Sequence, residues 1–259
     1  AAGSADNGLN RLVGVDIWGA QLNVGPLQPY YPTTSAAYFG PRFTYDPVTH
    51  AALGLLIEEQ RTNLAQWSED FSNAAWSKSN VSVTANAATA PDGNATADKA
   101  VEINGSASPL LYQAATLTAA SYTVSVFAKA AERSWLAFRF DAGSTKYTWF
   151  NLGTGAVGTV DATHTATIKN CGNGWYRCTV TATGTAAPWF SVFAPTTGDG
   201  VSTYTGNGTS GIYLWGAQLE AGAFATSYIP TTSASVTRAA DSATMTGTNF
   251  SSWFNAAQG

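Results

Sequence analysis

Through the middle of the chain, apolar and polar residues alternate at the two-residue period of a half-buried β-strand. In Tyr122-Thr-Val-Ser-Val-Phe-Ala-Lys129, the side chains of Tyr122, Val124 and Val126 fall on one face. In Trp135-Leu-Ala-Phe-Arg-Phe140, Leu136, Phe138 and Phe140 make a core face, and Trp135 and Arg139 take the other. Further strands are expected at 81–85, 98–103, 110–113, 147–152, 164–170, 175–183, 189–194 and 211–219. Between them stand Pro91-Asp92-Gly93, Gly143, Gly153, Gly172-Asn173-Gly174, Gly198-Asp199-Gly200 and Gly206-Asn207-Gly208. These are residues that reverse a chain tightly. Only 53–59 and 67–76 resemble helix, and a turn or short helix at Ser68-Glu69-Asp70-Phe71 is the most they support. Many short strands with regular turns predict an all-β fold, a jelly roll or two-sheet β-sandwich.

An internal echo adds a modular organisation. Val15-Asp-Ile-Trp-Gly-Ala-Gln-Leu22 is followed by Pro32-Thr-Thr-Ser35, and Ile212-Tyr-Leu-Trp-Gly-Ala-Gln-Leu219 by Pro230-Thr-Thr-Ser233, with one more residue between the blocks of the second copy. Repeated blocks at a near-constant separation mark modular arrays. The second copy closes a long β-rich stretch, whereas little precedes the first. Residues 1–40 therefore read as the end of a preceding module and 41–63 as a connecting segment. Residues 64–233 read as one complete module, and 234–259, with Phe250, Trp253 and Phe254, as the start of another.

Composition narrows the function. Charged residues are 11% of the 259, well below the roughly 25% of an ordinary domain, and aromatics reach 12%. Such a chain has ample apolar surface with which to offset ordering entropy, which argues against disorder. The net charge is −4 and the twelve Lys and Arg are scattered, so no basic stripe exists to neutralise a row of phosphates. Nucleic acid is not an expected partner. No apolar run approaches the roughly 20 residues of a membrane-spanning helix. Cys171 and Cys178 flank Gly172-Asn173-Gly174; a tight hairpin centred on Asn173-Gly174 sets Cys171 opposite Tyr176 and Cys178 opposite Lys169, leaving the thiols offset unless a bulge joins them.

Longer motifs carry a resemblance. Gly40-Pro-Arg-Phe-Thr-Tyr-Asp-Pro-Val-Thr49, Gly54-Leu-Leu-Ile-Glu-Glu-Gln-Arg-Thr-Asn-Leu64 and Trp67-Ser-Glu-Asp-Phe-Ser-Asn-Ala-Ala-Trp76 occur in that order. Thr89-Ala-Pro-Asp-Gly93, Ala97-Asp-Lys99, Gly172-Asn-Gly-Trp-Tyr-Arg177 and the closing Trp-Gly-Ala-Gln-Leu-Glu follow. Together, from about Val15 to about Met245, they resemble the head-spike, head-fibre and tail-fibre modules of tailed phages and gene transfer agents. His50 stands where a glycine is usual in that pattern. These modules are similar in turn to jelly-roll carbohydrate-binding modules, in which an acidic residue of the first strand often helps hold a structural calcium. The resemblance carries that role onto Glu69 and Asp70, with solvated loop acids as the competing reading. It also implies that 58–63 lock the incoming segment onto the module, with Arg61 in an ion pair.

The residues themselves offer little catalytic chemistry. His50 and His164 have no triad or zinc-binding motif around them and read as surface imidazoles. Glu58-Glu59 and Glu69-Asp70 are adjacent pairs, and neighbours on a strand point to opposite faces, so neither doublet straddles a glycosidic bond by itself. Aromatics are the richer resource. Trp135 and Arg139, with Lys146, Trp149 and Trp189, are the expected sugar-binding set, through ring stacking and hydrogen bonds; the competing reading is a second buried face. Trp175 and Trp215 are assigned to the core. The expectation is a non-enzymatic virion structural protein, made in the bacterial cytoplasm and carried on the particle surface. It binds host-surface polysaccharide and other virion proteins as a homo-oligomer. A polysaccharide depolymerase, the binding part of a glycan-degrading enzyme, and a purely architectural linker are the alternatives.

Overall fold

The computed structural model describes residues 42–141, 146–184 and 188–242, with the backbone alone at Ala107 and 188–192. The chain divides into two compact units, 1–42 and 43–259, and almost all described residues lie in the second. The first Trp-Gly-Ala-Gln-Leu block and the aromatics Phe250, Trp253 and Phe254 lie outside the described residues.

Two six-stranded antiparallel sheets form a β-sandwich. The first sheet runs, edge to edge, Ala156–Val157 (β12), Tyr147–Asn151 (β11), Trp135–Asp141 (β10), Pro188–Thr196 (β15), Leu110–Thr116 (β8) and Ser77–Ser79 (β4). The second runs Thr165–Asn170 (β13), Trp175–Thr183 (β14), Ser121–Ala130 (β9), Gly211–Ala221 (β17), Ala97–Glu102 (β6) and Val81–Ala88 (β5). Three two-stranded ribbons complete the set: Arg42–Tyr45 (β1) with Ala52–Leu56 (β2), Arg61–Asn63 (β3) with Val236–Arg238 (β18), and Asn104–Ala107 (β7) with Tyr204–Asn207 (β16). The chain passes repeatedly between the two large sheets, as the expected jelly roll requires. Of the stretch at 53–59 that resembled helix, residues 53–56 are instead strand, because β2 pairs with β1, and 57–59 are irregular.

The alternation places the core. Leu136, Phe138 and Phe140 of β10, Phe150 of β11 and Phe193 of β15 face Val124 and Val126 of β9, Cys178 and Val180 of β14, and Ile212 and Leu214 of β17. Phe71 and Trp76 enter from the irregular segment before β4; their ring centroids lie 4.8 Å apart, and both rings approach Phe193. Each fully buried side chain of this size contributes roughly 1.5–3 kcal/mol. Trp175 and Trp215 are buried, as expected, in a separate cluster with Ala90 and Ala97 outside the second sheet. Their indole N–H groups donate to Thr89 O and Thr96 Oγ1.

The repeated pentapeptide acquires a physical meaning in β17. Trp215 points outward against Phe127 and Tyr228. Gly216 takes φ +63° and creates a bulge that shifts the register between Trp215 and Gln218. A Cβ on Gly216 would lie 3.0 Å from the Phe127 ring. Ala217 is buried in the sandwich core, and Gln218 accepts from Ile229 N.

The incoming segment is locked down as the resemblance implies. Asn63, fully buried, donates through Nδ2 to Ala217 O and Ile229 O, and accepts at Oδ1 from Ala65 N and Leu219 N. Glu58 accepts from the Ser227 amide and hydroxyl and pairs with Arg238 at 3.2 Å. Arg61 pairs with Glu59 at 2.5 Å and lies over the Phe224 ring. The Pro-Thr-Thr-Ser block is held from the same side: Thr231 N donates to Ser68 Oγ, and Thr231 Oγ1 donates to Ala65 O.

The hairpin register differs from expectation. Cys178 stands opposite Ile168, and Lys169 opposite Arg177. The cause is the loop: Gly172, Asn173 and Gly174 all adopt positive φ, and Cys171 N donates to Trp175 O, so three residues rather than two reverse the chain. One residue of slip exchanges the faces. Both thiols are free, Cys178 in the core and Cys171 against the outer tryptophan cluster.

Replacing Asn63 by alanine strips partners from two buried carbonyls and two buried amides. Asn63→Ala is expected to lower stability by at least about 3 kcal/mol, seen as a fall in the urea midpoint with unchanged slope.

Candidate functional site

The first sheet presents its outer face away from the core. Along β10 that face carries Trp135, Ala137, Arg139 and Asp141. Register places Trp149 and Ala194 on either side of Ala137, Tyr147 beside Arg139, and Asn151 beside Trp135. The structure thus brings Trp135, Arg139 and Trp149 onto one surface, opposite Leu136, Phe138 and Phe140. Ala137, Trp149 and Ala194 form a small cluster there, with Trp135 and Tyr147 packed against it. The Tyr147 and Trp149 rings are 5.5 Å apart and inclined by 31°.

Availability differs among these side chains. Trp149 is only 9% exposed, and its indole N–H donates to Val201 O. Two loops cover it: Gly158 N donates to Trp149 O, Trp149 N donates to Thr159 O, and Asp199 accepts from Thr159 N. A Cβ on Gly158 would come within 2.7 Å of the Trp135 ring and 2.6 Å of Asp199 Oδ1, so this loop can lie against Trp135 only as glycine. Trp135, Tyr147, Arg139 and Lys146 remain half-buried. The backbone of Trp189 stands opposite Ala115 in β8; its side chain lies outside what is described.

Asp141 organises the cationic part. It is nearly fully buried, accepts two bonds from Arg139 Nε at 3.0 Å, and accepts the Lys146 amide at 3.0 Å. The carboxylate thereby ties the end of β10 to the start of β11 and holds Arg139 across the face. Sequence reasoning missed Asp141 and Tyr147. Both were visible as members of the outward-facing parity, Asp141 two residues after Arg139 and Tyr147 two before Trp149.

Glu69 and Asp70 are engaged separately. Glu69 accepts from the Tyr228 hydroxyl at 3.2 Å, and burial pushes its carboxyl above the usual range. Asp70 Oδ1 accepts from Ser72 Oγ and Asn73 N, capping the turn. Asp98 accepts from the amides of Phe71 and Asn86, and Asp92 from Asn94. Among the described residues no group of three or more His, Cys, Asp or Glu is placed to hold a metal ion. Glu69 and Asp70 thus serve different protein partners, a tyrosine hydroxyl and the turn of their own segment.

His50 is exposed in the turn after β1, at φ +59°, a left-handed conformation that a glycine adopts more readily. His164 is a correction to the expected surface imidazole. It is 9% exposed, with Nδ1 at 3.0 Å from Thr148 Oγ1 and Nε2 at 3.0 Å from Phe140 O. Nε2 therefore carries the proton that Phe140 O accepts, and Nδ1 accepts from the Thr148 hydroxyl. Both ring nitrogens are used in joining the β13 edge to the first sheet.

No protein-family model matches this sequence, and no curated protein does. Among solved structures, the chain aligns with TmCBM61 in complex with β-1,4-galactotriose, at 16% identity, over 55% of this chain and 98% of that one, with a TM-score of 0.24. A likeness at that level carries no argument about the ligand of this chain.

Burial pushes the His164 imidazole below its ordinary range; its bond to Phe140 O and the carboxylates of Asp161 and Asp141 oppose this, and Lys146 adds to it. The unfolded chain therefore binds a proton, near pH 6.5, that the folded chain resists. His164 contributes stability above that pH and loses it as pH falls. Compared with His164→Gln, the wild type is expected to lose its stability advantage between about pH 7 and pH 5. Unfolding curves that stay parallel across this interval would contradict the assignment.

Proposed function

We propose that the protein is a structural component of a phage-like particle, a head spike, head fibre or tail fibre, whose sandwich attaches the particle to host-surface polysaccharide. The ordered motifs between about Val15 and about Met245 support the particle assignment. The observation that carries the binding function is the placement of Trp135, Tyr147 and Arg139 on a sheet face outside the core, with Lys146 tied by its amide to Asp141 at the end of that face. Aromatic rings there can stack on the C–H faces of sugars, and Arg139 can donate to hydroxyls. Binding proceeds without cleavage in this reading, because the candidate acids already have structural partners. Glu58 is bonded to Ser227 and Arg238, Glu59 to Arg61, Glu69 to Tyr228, and Asp70 caps its own turn.

Self-association is part of the same proposal. Phe43, Tyr45, Leu53 and Leu55 are about half exposed or more, at 55%, 55%, 59% and 47%, on a two-stranded ribbon. Exposed apolar rows of this kind mark association surfaces. Repetition of weak sugar sites within an oligomer also raises attachment strength without new contacts.

Trp135→Ala is expected to weaken binding to purified capsule or host cells by about five-fold per site, the equivalent of about 1 kcal/mol for one stacked ring, while the thermal midpoint changes little. A large fall in the midpoint would place Trp135 with the core. Release of reducing ends or unsaturated sugars from capsule would instead establish an enzyme.

Light scattering of the intact protein is expected to show a homo-oligomer. A monomer at micromolar concentration would count against the spike reading.

A further inference from the structure

The outer face of the second sheet carries a different surface, at the end formed by β13 and β14. Thr165 stands opposite Thr181, Thr167 opposite Thr179, and Lys169 opposite Arg177. These six side chains form the floor of an open groove of about 430 Å³. One wall is the β1–β2 ribbon, which contributes Thr44 and Leu56. Its turn is seated on the β13–β14 turn, where a Cβ on Gly172 would lie 2.9 Å from Pro47 O. The other wall is 223–227, including Phe224, and Glu58 lies at the same margin. The volume falls within the roughly 300–1,000 Å³ of small-molecule and cofactor sites.

The chemistry of this groove is hydroxyl-rich. The hydroxyls of Thr165, Thr167 and Thr179 have no protein hydrogen-bond partner among the described residues, whereas Thr181 bonds to Thr123 and Ala223 O. Each unpartnered hydroxyl can both donate and accept. Adjacent strands set such groups about 4.8 Å apart, and alternate residues set them about 7 Å apart along a strand. Phe224 supplies an apolar ring that is 58% exposed, and Arg61 lies 5.0 Å from its centroid. An aromatic platform beside a lattice of two-way hydrogen-bonding groups matches a sugar, which has apolar C–H faces and a hydroxyl rim.

Charge does not favour an ionic ligand. Arg177 is committed to Ser125 Oγ and Thr226 O and lies over Phe127. Glu58 is paired with Arg238 and Arg61 with Glu59. Asp46, which faces Lys169, is spent on Val48, Thr49 and its hydroxyl. The groove therefore offers Lys169 as a hydrogen-bond donor within a surrounding of matched charges.

We infer that the groove between the β1–β2 ribbon and the Thr165/Thr167/Thr179/Thr181 array is a second glycan site, specific for an uncharged oligosaccharide stretch. The inference rests on the carbohydrate-binding reading but locates binding on the opposite sheet from the Trp135 face. The ribbon is then a wall of the site through Thr44 and Leu56. Its exposed row, Phe43, Tyr45, Leu53 and Leu55, alternates with those residues and faces the other way.

The test uses the full chain against neutral hexose oligosaccharides in β-1,4, β-1,3, α-1,4 and α-1,6 linkage and against neutral O-antigen chains. Binding is compared for wild type, the double variant Thr167→Val/Thr179→Val, Phe224→Ala and Trp135→Ala. Valine keeps the shape and strand preference of threonine while removing the hydroxyl. Each groove variant is expected to weaken binding by about ten-fold or more with an unchanged unfolding midpoint. Wild-type affinity is expected to be insensitive to salt between low and high ionic strength. Affinity that survives both groove variants but falls in Trp135→Ala overturns the groove and leaves the carbohydrate reading standing. Affinity that drops steeply with salt overturns the uncharged specificity. Failure of the wild type to bind any member of the panel overturns the groove, and failure on acidic capsule as well overturns both.

Discussion

A single buried amide, that of Asn63, joins three otherwise separate parts of the chain. The segment entering the sandwich, the bulged strand β17 and the return at Ile229 each give it a backbone group. A bulge at Gly216 interrupts the ladder between Trp215 and Gln218, and the backbone displaced there needs partners from outside the sheet. Asn63 supplies them at Ala217 O and Leu219 N. Before the bulge Leu214 faces the core, and after it Leu219 does so again, so the strand lines the interior along its whole length. The outer residues Trp215, Gln218 and Glu220 are left to organise the connecting segments.

That arrangement explains why a chain so poor in charge still buries several ionisable groups. Glu102 is almost fully buried and receives two bonds from Arg133 and one from Asn207 N. Glu220, fully buried, accepts from Gln218, Thr226 N and Thr226 Oγ1. Asp141 holds Arg139, and Asp98 caps Phe71 and Asn86. A buried carboxylate is tolerable only when its oxygens are satisfied. In this protein each of the four staples an irregular segment or a strand end onto the sandwich. Buried carboxylates are used for joints, and the large outer sheet faces carry hydroxyls, aromatic rings and a few cations.

The two outer faces consequently differ in character. On the first sheet, loops fold back over the tryptophans and leave a half-exposed aromatic and cationic strip. On the second, the ribbon stands beside the sheet and leaves a groove floored with threonine. Loops and ribbons vary at little cost to a sandwich whose stability comes from its inner faces. Both surfaces are therefore suited to recognition, and the proposed attachment to polysaccharide uses that freedom.

The strands and their inward faces were legible in the sequence, because a two-residue period admits one assignment once one face is apolar: Leu136, Phe138 and Phe140 could point only one way. The placement of Trp135 and Arg139 on the opposite face followed from the same parity, whereas the clasp expected of 58–63 was implied by the resemblance and not by periodicity. What the sequence could not show depended on residues distant along the chain. Trp149 has the outward parity of a binding residue, yet loops at 158–159 and 199–201 cover it. His164 looked like a surface imidazole until Thr148 and Phe140 closed around it. The register of Cys171 and Cys178 turned on whether two or three residues made one loop, which backbone conformation decides and composition does not. The threonines at 165, 167, 179 and 181 were ordinary strand residues until strand pairing and the β1–β2 ribbon made them the floor of a groove. Periodicity is a local property and could be read along the chain; coverage and enclosure are made by distant segments meeting, and only the tertiary structure decided them.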